Sequence, residues 1–245
     1  MSSLSGVLSL VFRVHYGHYL RMENTNPYAD IQAQILAAAL DEVSFSGWTP
    51  KTFELAVKNA DVDADMALLA FPDGVAGLIK CFSKAGDLAM QAHLPEAEGL
   101  KIRQRISHAV MARLQADAPY RDAARRAAAW LSVPGRQALA ARLLFTSAHH
   151  MWHWAGDTAT DYNYYSKRTI LSGVIATTRV VWFDDDSEDL AATHGFLDRR
   201  IDNVMQFEKA KTKVTKMTAD MQADGSGFAD ALTKLAQWRF GSKAP

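Results

Sequence analysis

The chain of 245 residues has one cysteine and no excess of either charge, with 27 Lys plus Arg against 27 Asp plus Glu. A single cysteine excludes an internal disulfide framework and any multi-cysteine metal site, and fits a reducing compartment. Zero net charge removes the strongly basic footprint of a protein that grips a polyphosphate. No uninterrupted apolar run reaches the roughly 18 residues that a membrane-spanning helix needs. There is no phosphate-cradling glycine loop and no nucleophile elbow. Prolines are scarce in helix interiors by the same logic that spaces them here, at Pro27, Pro50, Pro72, Pro95, Pro119 and Pro134. Each marks a helix start or a linker.

What is present is alanine and helical periodicity. The chain is 49% hydrophobic, enough to bury a core. Ile31, Ile35, Leu36 and Ala39 recur at helical spacing, as do Phe196, Ile201 and Met205. The pattern predicts an all-α bundle of about nine or ten helices, near 29–44, 50–60, 64–70, 73–91, 97–116, 119–130, 134–154, 161–183, 187–212 and 228–240. Thr49 followed by Pro50 reads as an N-cap and first helical residue. Residues 1–25 read as a flexible N-terminal extension, with Met22 as the natural start. Its basic residues follow its apolar patch, the reverse of a secretory signal.

Three short helices followed by a longer helical body is the layout of a TetR-like regulator. The third helix of such a protein must offer Arg, Lys, Asn or Gln to DNA. Residues 61–79 instead hold Asp61, Asp63, Asp65 and Asp73, and no Lys or Arg. A degenerate helix-turn-helix over 26–92, without nucleic-acid binding, is the expectation. The body is expected over 93–212, and a linker with an amphipathic helix over 213–245.

Phe145 to Phe183 is the aromatic stretch. His149 and His153 stand four apart on one helical face, a spacing that can suit a metal. A His-Glu-x-x-His or Glu-x-x-His partner is missing, so structural or surface histidines are the better reading and no metal or cofactor is expected. Cys81, in an apolar helix, reads as a buried inert thiol. Tyr162, Tyr164 and Tyr165 open a helix and cannot all face the core. Beside Met151 and Trp154 they have the composition of an interface, with ordinary core packing as the alternative.

Leu36-Ala37-Ala38-Ala39-Leu40 with Gly47-Trp48-Thr49, then Ala155-Gly156-Asp157 with Thr160-Asp161-Tyr162-Asn163-Tyr164-Tyr165, then Phe196-Leu197-Asp198-Arg199-Arg200-Ile201, closely resemble the Coq-nine family of ubiquinone biosynthesis proteins. The resemblance spans about 26–212. It implies a TetR-like fold, usually a homodimer, that does not bind DNA, and an isoprenoid lipid or ubiquinone precursor bound in the body. It also implies a partner, the di-iron demethoxyubiquinone hydroxylase of the Coq-seven type. The family's partner patch maps onto Asp161, Tyr164 and Tyr165, with Met151 and Trp154 on the preceding turns. The sequence departs from the family's usual motif at Tyr164, where Trp is common, and at Lys167-Arg168, where two Arg are common.

Two further expectations follow. Ile170, Leu171, Val174 and Ile175 on one helix, with Leu139, Leu143 and Leu144 on its neighbour, are candidate walls of the lipid pocket. The last helix gathers Phe228, Leu232, Leu235 and Trp238 on one face near several cations, as an interfacial membrane helix does. The expected function is a non-enzymatic accessory protein that presents a membrane quinone precursor to the hydroxylase. The expected site is the cytoplasmic face of a bacterial inner membrane, or the matrix face of the mitochondrial inner membrane. The alternatives are a TetR-like regulator that senses a lipid, against which the acidic third helix counts, and a metal enzyme using His149 and His153.

Overall fold

The computed structural model describes residues 26–204. The expected N-terminal extension and the terminal helix, with Phe228, Leu232, Leu235 and Trp238, lie outside the described residues. The chain divides into two compact units, 1–198 and 199–245. Residues 199–204 of the second are helical.

The described residues are all-α. The helices are α1 Ala29–Ser46, α2 Pro50–Asn59, α3 Ala64–Ala70, α4 Val75–His93, α5 Ile102–Asp117, α6 Arg121–Ser132, α7 Gln137–Trp154 and α8 Tyr162–Phe183. Short 3₁₀ turns cover Ala118–Tyr120 and Glu188–Leu190, and residues 191–204 are helical (α9). Among the described residues no single helix is long and apolar enough to cross a membrane.

Local chemistry sets the breaks. Gly47, at φ 68°, ends α1 in a conformation that a side chain disfavours. Thr49 then caps α2, its hydroxyl accepting from the Thr52 amide at 3.1 Å, with Pro50 at the first helical position. Trp48, between them, is buried. Its ring stands 5.7 Å from that of Phe82, and its indole N–H donates to the Ala123 carbonyl at 3.0 Å. Asp63 caps α3 through the amides of Asp65 and Met66. The four acids Asp61, Asp63, Asp65 and Asp73 are all exposed, and Asp73 pairs with Lys80.

The core is built from α1, α4, α5 and α8, where Ile35, Leu36, Leu78, Phe82, Met90, Leu114 and Trp182 are fully buried. Each such side chain contributes about 1.5–3 kcal/mol relative to exposure. Cys81 is buried beside them, and burial pushes its thiol up to about 12, against a smaller opposing pull from Lys84. It is therefore a packing residue, protonated at neutral pH. Arg121 and Arg125 of α6 donate to the carbonyls of Trp182 and Phe183 and stack over those two rings. They close the C-terminal end of α8, where unpaired carbonyls and the helix dipole favour cations.

Candidate functional site: a cavity floored by charge and an aromatic helix start

A cavity of about 310 Å³ lies among α4, α5, α6, α7 and α8. Its walls are apolar: Ile79 and Phe82 from α4, Ala127 and Leu131 from α6, Ala140, Leu143 and Leu144 from α7, and Ala176 and Phe183 from α8. Exposed lining residues, Ser132, Gln137 and Val180, mark its mouth. At the opposite extreme Arg113 and Ser147 line it while being 3% and 5% exposed. They form its floor.

Of the seven expected wall residues, Leu143 and Leu144 line the cavity. Leu171, Val174 and Ile175 are buried in the core, and Leu139 and Ile170 are half-buried, all five outside the lining. The reason is rotational. On α8 the cavity takes the face of Ala176, Arg179, Val180 and Phe183, and the largest apolar residues of that helix lie on the neighbouring face.

Behind the floor stands a buried ionic cluster. Arg113 Nε donates to Asp87 Oδ1 at 2.8 Å, and its Nη1 lies 2.5 Å from Asp117 Oδ1. Arg179 Nη2 donates to Asp117 Oδ2 at 3.2 Å, and the Ser147 hydroxyl donates to Asp87 Oδ1 at 2.7 Å. Asp87 and Asp117 are buried. A buried charge costs several kcal/mol unless paired, so these four charges hold one another in place. Sequence reasoning missed the cluster. Arg113 and Asp117 form a legible i,i+4 pair, but nothing local reports that Asp87 and Arg179 converge on it.

The second feature is the start of α8. Asp161 caps it, Oδ1 accepting from the Asn163 amide at 2.9 Å. Tyr162 and Tyr165 are 73% and 62% exposed. Tyr165 stacks on Phe145 with centroids 6.4 Å apart, and Tyr164 meets Tyr165 edge-on at 5.0 Å. Trp154 is half-buried and donates to the Pro95 carbonyl at 3.2 Å. Met151 has no exposed surface. It packs beneath this patch and offers nothing to a docked partner. The surface itself is Asp161, Tyr164, Tyr165, Trp154 and the neighbouring Tyr162 and Phe145.

A polar web fixes that surface to α7. Buried Arg168 donates from Nη1 to Asp157 Oδ2 at 3.0 Å, stacks on Tyr164 at 3.5 Å, and donates from Nε to His149 Nδ1 at 3.2 Å. Tyr164 Oη stands 3.1 Å from that same nitrogen. Lys167 bonds Asp157 Oδ1 at 2.7 Å. Burial raises the Asp157 carboxyl, but the bonds from Lys167 and Arg168 outweigh it and hold the group below its ordinary value. Burial first, and then the charges of Arg168, His150 and His153, hold His149 below the ordinary imidazole value. The rings of His149 and His153 stack at 6.2 Å. Among the described residues no group of three or more His, Cys, Asp or Glu could hold a metal ion. His149 serves as an acceptor for Arg168.

Comparison with known proteins places these elements. A family model described as COQ9 matches residues 137–208, which contain α7 and α8. The chain is 31% identical over 214 residues to the ubiquinone biosynthesis protein COQ9, mitochondrial, of Rattus norvegicus, covering 84% of this chain and 68% of that protein. It is 32% identical over 214 residues to the protein of the same name from Xenopus tropicalis, covering 84% and 66%. The Homo sapiens protein is 28% identical over 214 residues, covering 84% and 67%. The chain thus spans about two thirds of the length of these relatives.

Proposed function

The chain belongs to the COQ9 family, and from that premise we propose that it is a non-enzymatic accessory protein of ubiquinone biosynthesis. It takes an isoprenoid quinone precursor from the membrane into the cavity among α4–α8. It presents that precursor to the demethoxyubiquinone hydroxylase through the aromatic start of α8.

The observation that carries this reading is the cavity of about 310 Å³, apolar in its walls and formed in part by α7 and α8. Apolar area removed from water supplies the driving force for an isoprenoid. The exposed Tyr162 and Tyr165, with Asp161 beside them, support the partner surface. Exposed aromatics on a rigid base are the usual anchors of such contacts. Residues 26–92 are read as a TetR-like region that does not bind nucleic acid, and four exposed acids on and around α3 support that part. A homodimer, peripheral on the membrane that holds the quinone pool, completes the proposal. The relatives' names put those proteins in mitochondria, which favours the matrix-side alternative for them.

Quinone profiling of a strain lacking this chain tests the reading. Accumulation of demethoxyubiquinone is expected. An unchanged quinone pool overturns it. In parallel, organic extraction of the purified protein is expected to yield an isoprenoid quinone or a related lipid.

A further inference from the structure

The cavity is amphiphilic in an unusual sense: its walls are apolar, its mouth is open to solvent, and its deepest point is ionic. An amphiphile that entered tail-first would put its hydrocarbon end against Arg113 and Ser147, which are 3% and 5% exposed. That contact would further desolvate a buried charge and return nothing. The floor also has a definite charge. Two guanidiniums, Arg113 and Arg179, face two carboxylates, Asp87 and Asp117, at 2.5–3.2 Å, so the cluster sums to zero.

On the reading that this cavity takes a lipid, we propose that the lipid enters head-first and that the balanced floor selects an uncharged, hydrogen-bonding head such as a benzoquinone or a phenol. Carboxylate and phosphate heads are rejected. An anion at the floor would bring a third negative charge beside Asp87 and Asp117, in a site where burial weakens screening. It would compete with both for the same guanidiniums. A neutral head brings no such charge. A quinone carbonyl accepts from guanidinium N–H groups, and a phenol donates to the Ser147 hydroxyl oxygen, which keeps acceptor capacity while donating to Asp87.

The size agrees. A volume of about 310 Å³ is at the low end for ligand pockets. It holds a ring and the beginning of its chain, so the rest of a polyprenyl tail leaves through the mouth at Ser132, Gln137 and Val180. The substituted ring is thus gripped by protein while the tail remains outside the cavity.

The test uses the full chain, freed of lipid, with three probes that share one chain length: decyl-benzoquinone, decyl phosphate and decanoate. Equilibrium dialysis is expected to favour the quinone over either anion by at least about tenfold, the penalty for a like charge brought into a balanced site. Ala140→Trp, which fills the cavity, is expected to abolish quinone binding. Asp117→Asn leaves the floor with net positive charge and is expected to narrow the preference severalfold. Should that variant fail to fold, Arg179→Gln gives the opposite charge and is expected to widen it. Equal binding of quinone and anions by the unaltered protein overturns the head-first selection while leaving a lipid cavity standing. Quinone binding that survives Ala140→Trp overturns the site. Failure of all three probes to bind overturns both this inference and the lipid reading beneath it.

Discussion

Gly86 shows how closely the ionic cluster is fitted to the helices around it. A Cβ added there would stand 2.5 Å from Arg113 Cζ. A guanidinium is usually the mobile end of its side chain, and such a clash would then cost little. Here Asp87 and Asp117 hold it, so moving it means stretching two buried ion pairs. An alanine in a helix normally gains about 0.5–1 kcal/mol over glycine. Gly86→Ala is expected instead to lose about 1–3 kcal/mol by overpacking, read as a lower urea midpoint. Gly173, in α8 with nothing near its added Cβ, is the control. Gly173→Ala is expected to hold or raise the midpoint. A Gly86→Ala midpoint matching that of the control would mean that Arg113 moves aside freely.

At the scale of the element, α8 carries two roles on one residue. Asp161 is the cap of the helix and also the charged member of the proposed partner surface. The roles separate because Asn caps as well as Asp does, whereas Ala does not. Asp161→Ala is expected to cost about 1 kcal/mol of stability. Asp161→Asn is expected to keep the melting temperature and weaken hydroxylase binding in a pull-down or calorimetric titration. If Asn keeps both, the aspartate is a cap alone. The elements themselves were largely legible. Pro50 with Thr49, and Asp161 ahead of Tyr162, mark the observed starts of α2 and α8. The misplaced starts have a shared cause. The expected 73, 97 and 134 give way to Val75, Ile102 and Gln137 because Gly74, Gly99 and Gly135 adopt positive φ in turns after their prolines. A proline signals that a helix is near, but a following glycine postpones it. The site was less legible. Asp87, Arg113 and Arg179 come from three helices, and only their convergence makes a floor. Met151 shares its periodicity with Trp154, yet packing buries one and leaves the other at the rim.

For the whole molecule, zero net charge conceals a distribution: exposed acids around α3, a balanced buried cluster at the cavity floor, and a cationic web beneath the α8 surface. That distribution gives the stability a pH profile with a predictable sign. His149 titrates below its ordinary value of 6.5 when folded, for the reasons of burial and neighbouring cations. The unfolded chain therefore takes up that proton first as pH falls. The stability associated with neutral His149 is complete above about 6.5 and is lost as pH drops toward its folded value. Asp157 and Asp185 lie below the ordinary 3.8. Asp185 is held there chiefly by hydrogen bonds from the Ser187 and Thr193 side chains, and Asp157 by Lys167 and Arg168 against the effect of burial. Their contribution is complete above about 3.8 and is lost on further acidification. Urea midpoints measured from pH 8 to pH 3 are therefore expected to fall in two stages, the first beginning near 6.5. His149→Gln keeps a hydrogen-bonding side chain opposite Arg168 and removes the titration, so it is expected to flatten the first stage and leave the second. A first stage that persists in that variant would assign it to another histidine and would remove His149 from its place as the neutral acceptor that orients Arg168 and Tyr164 beneath the α8 surface.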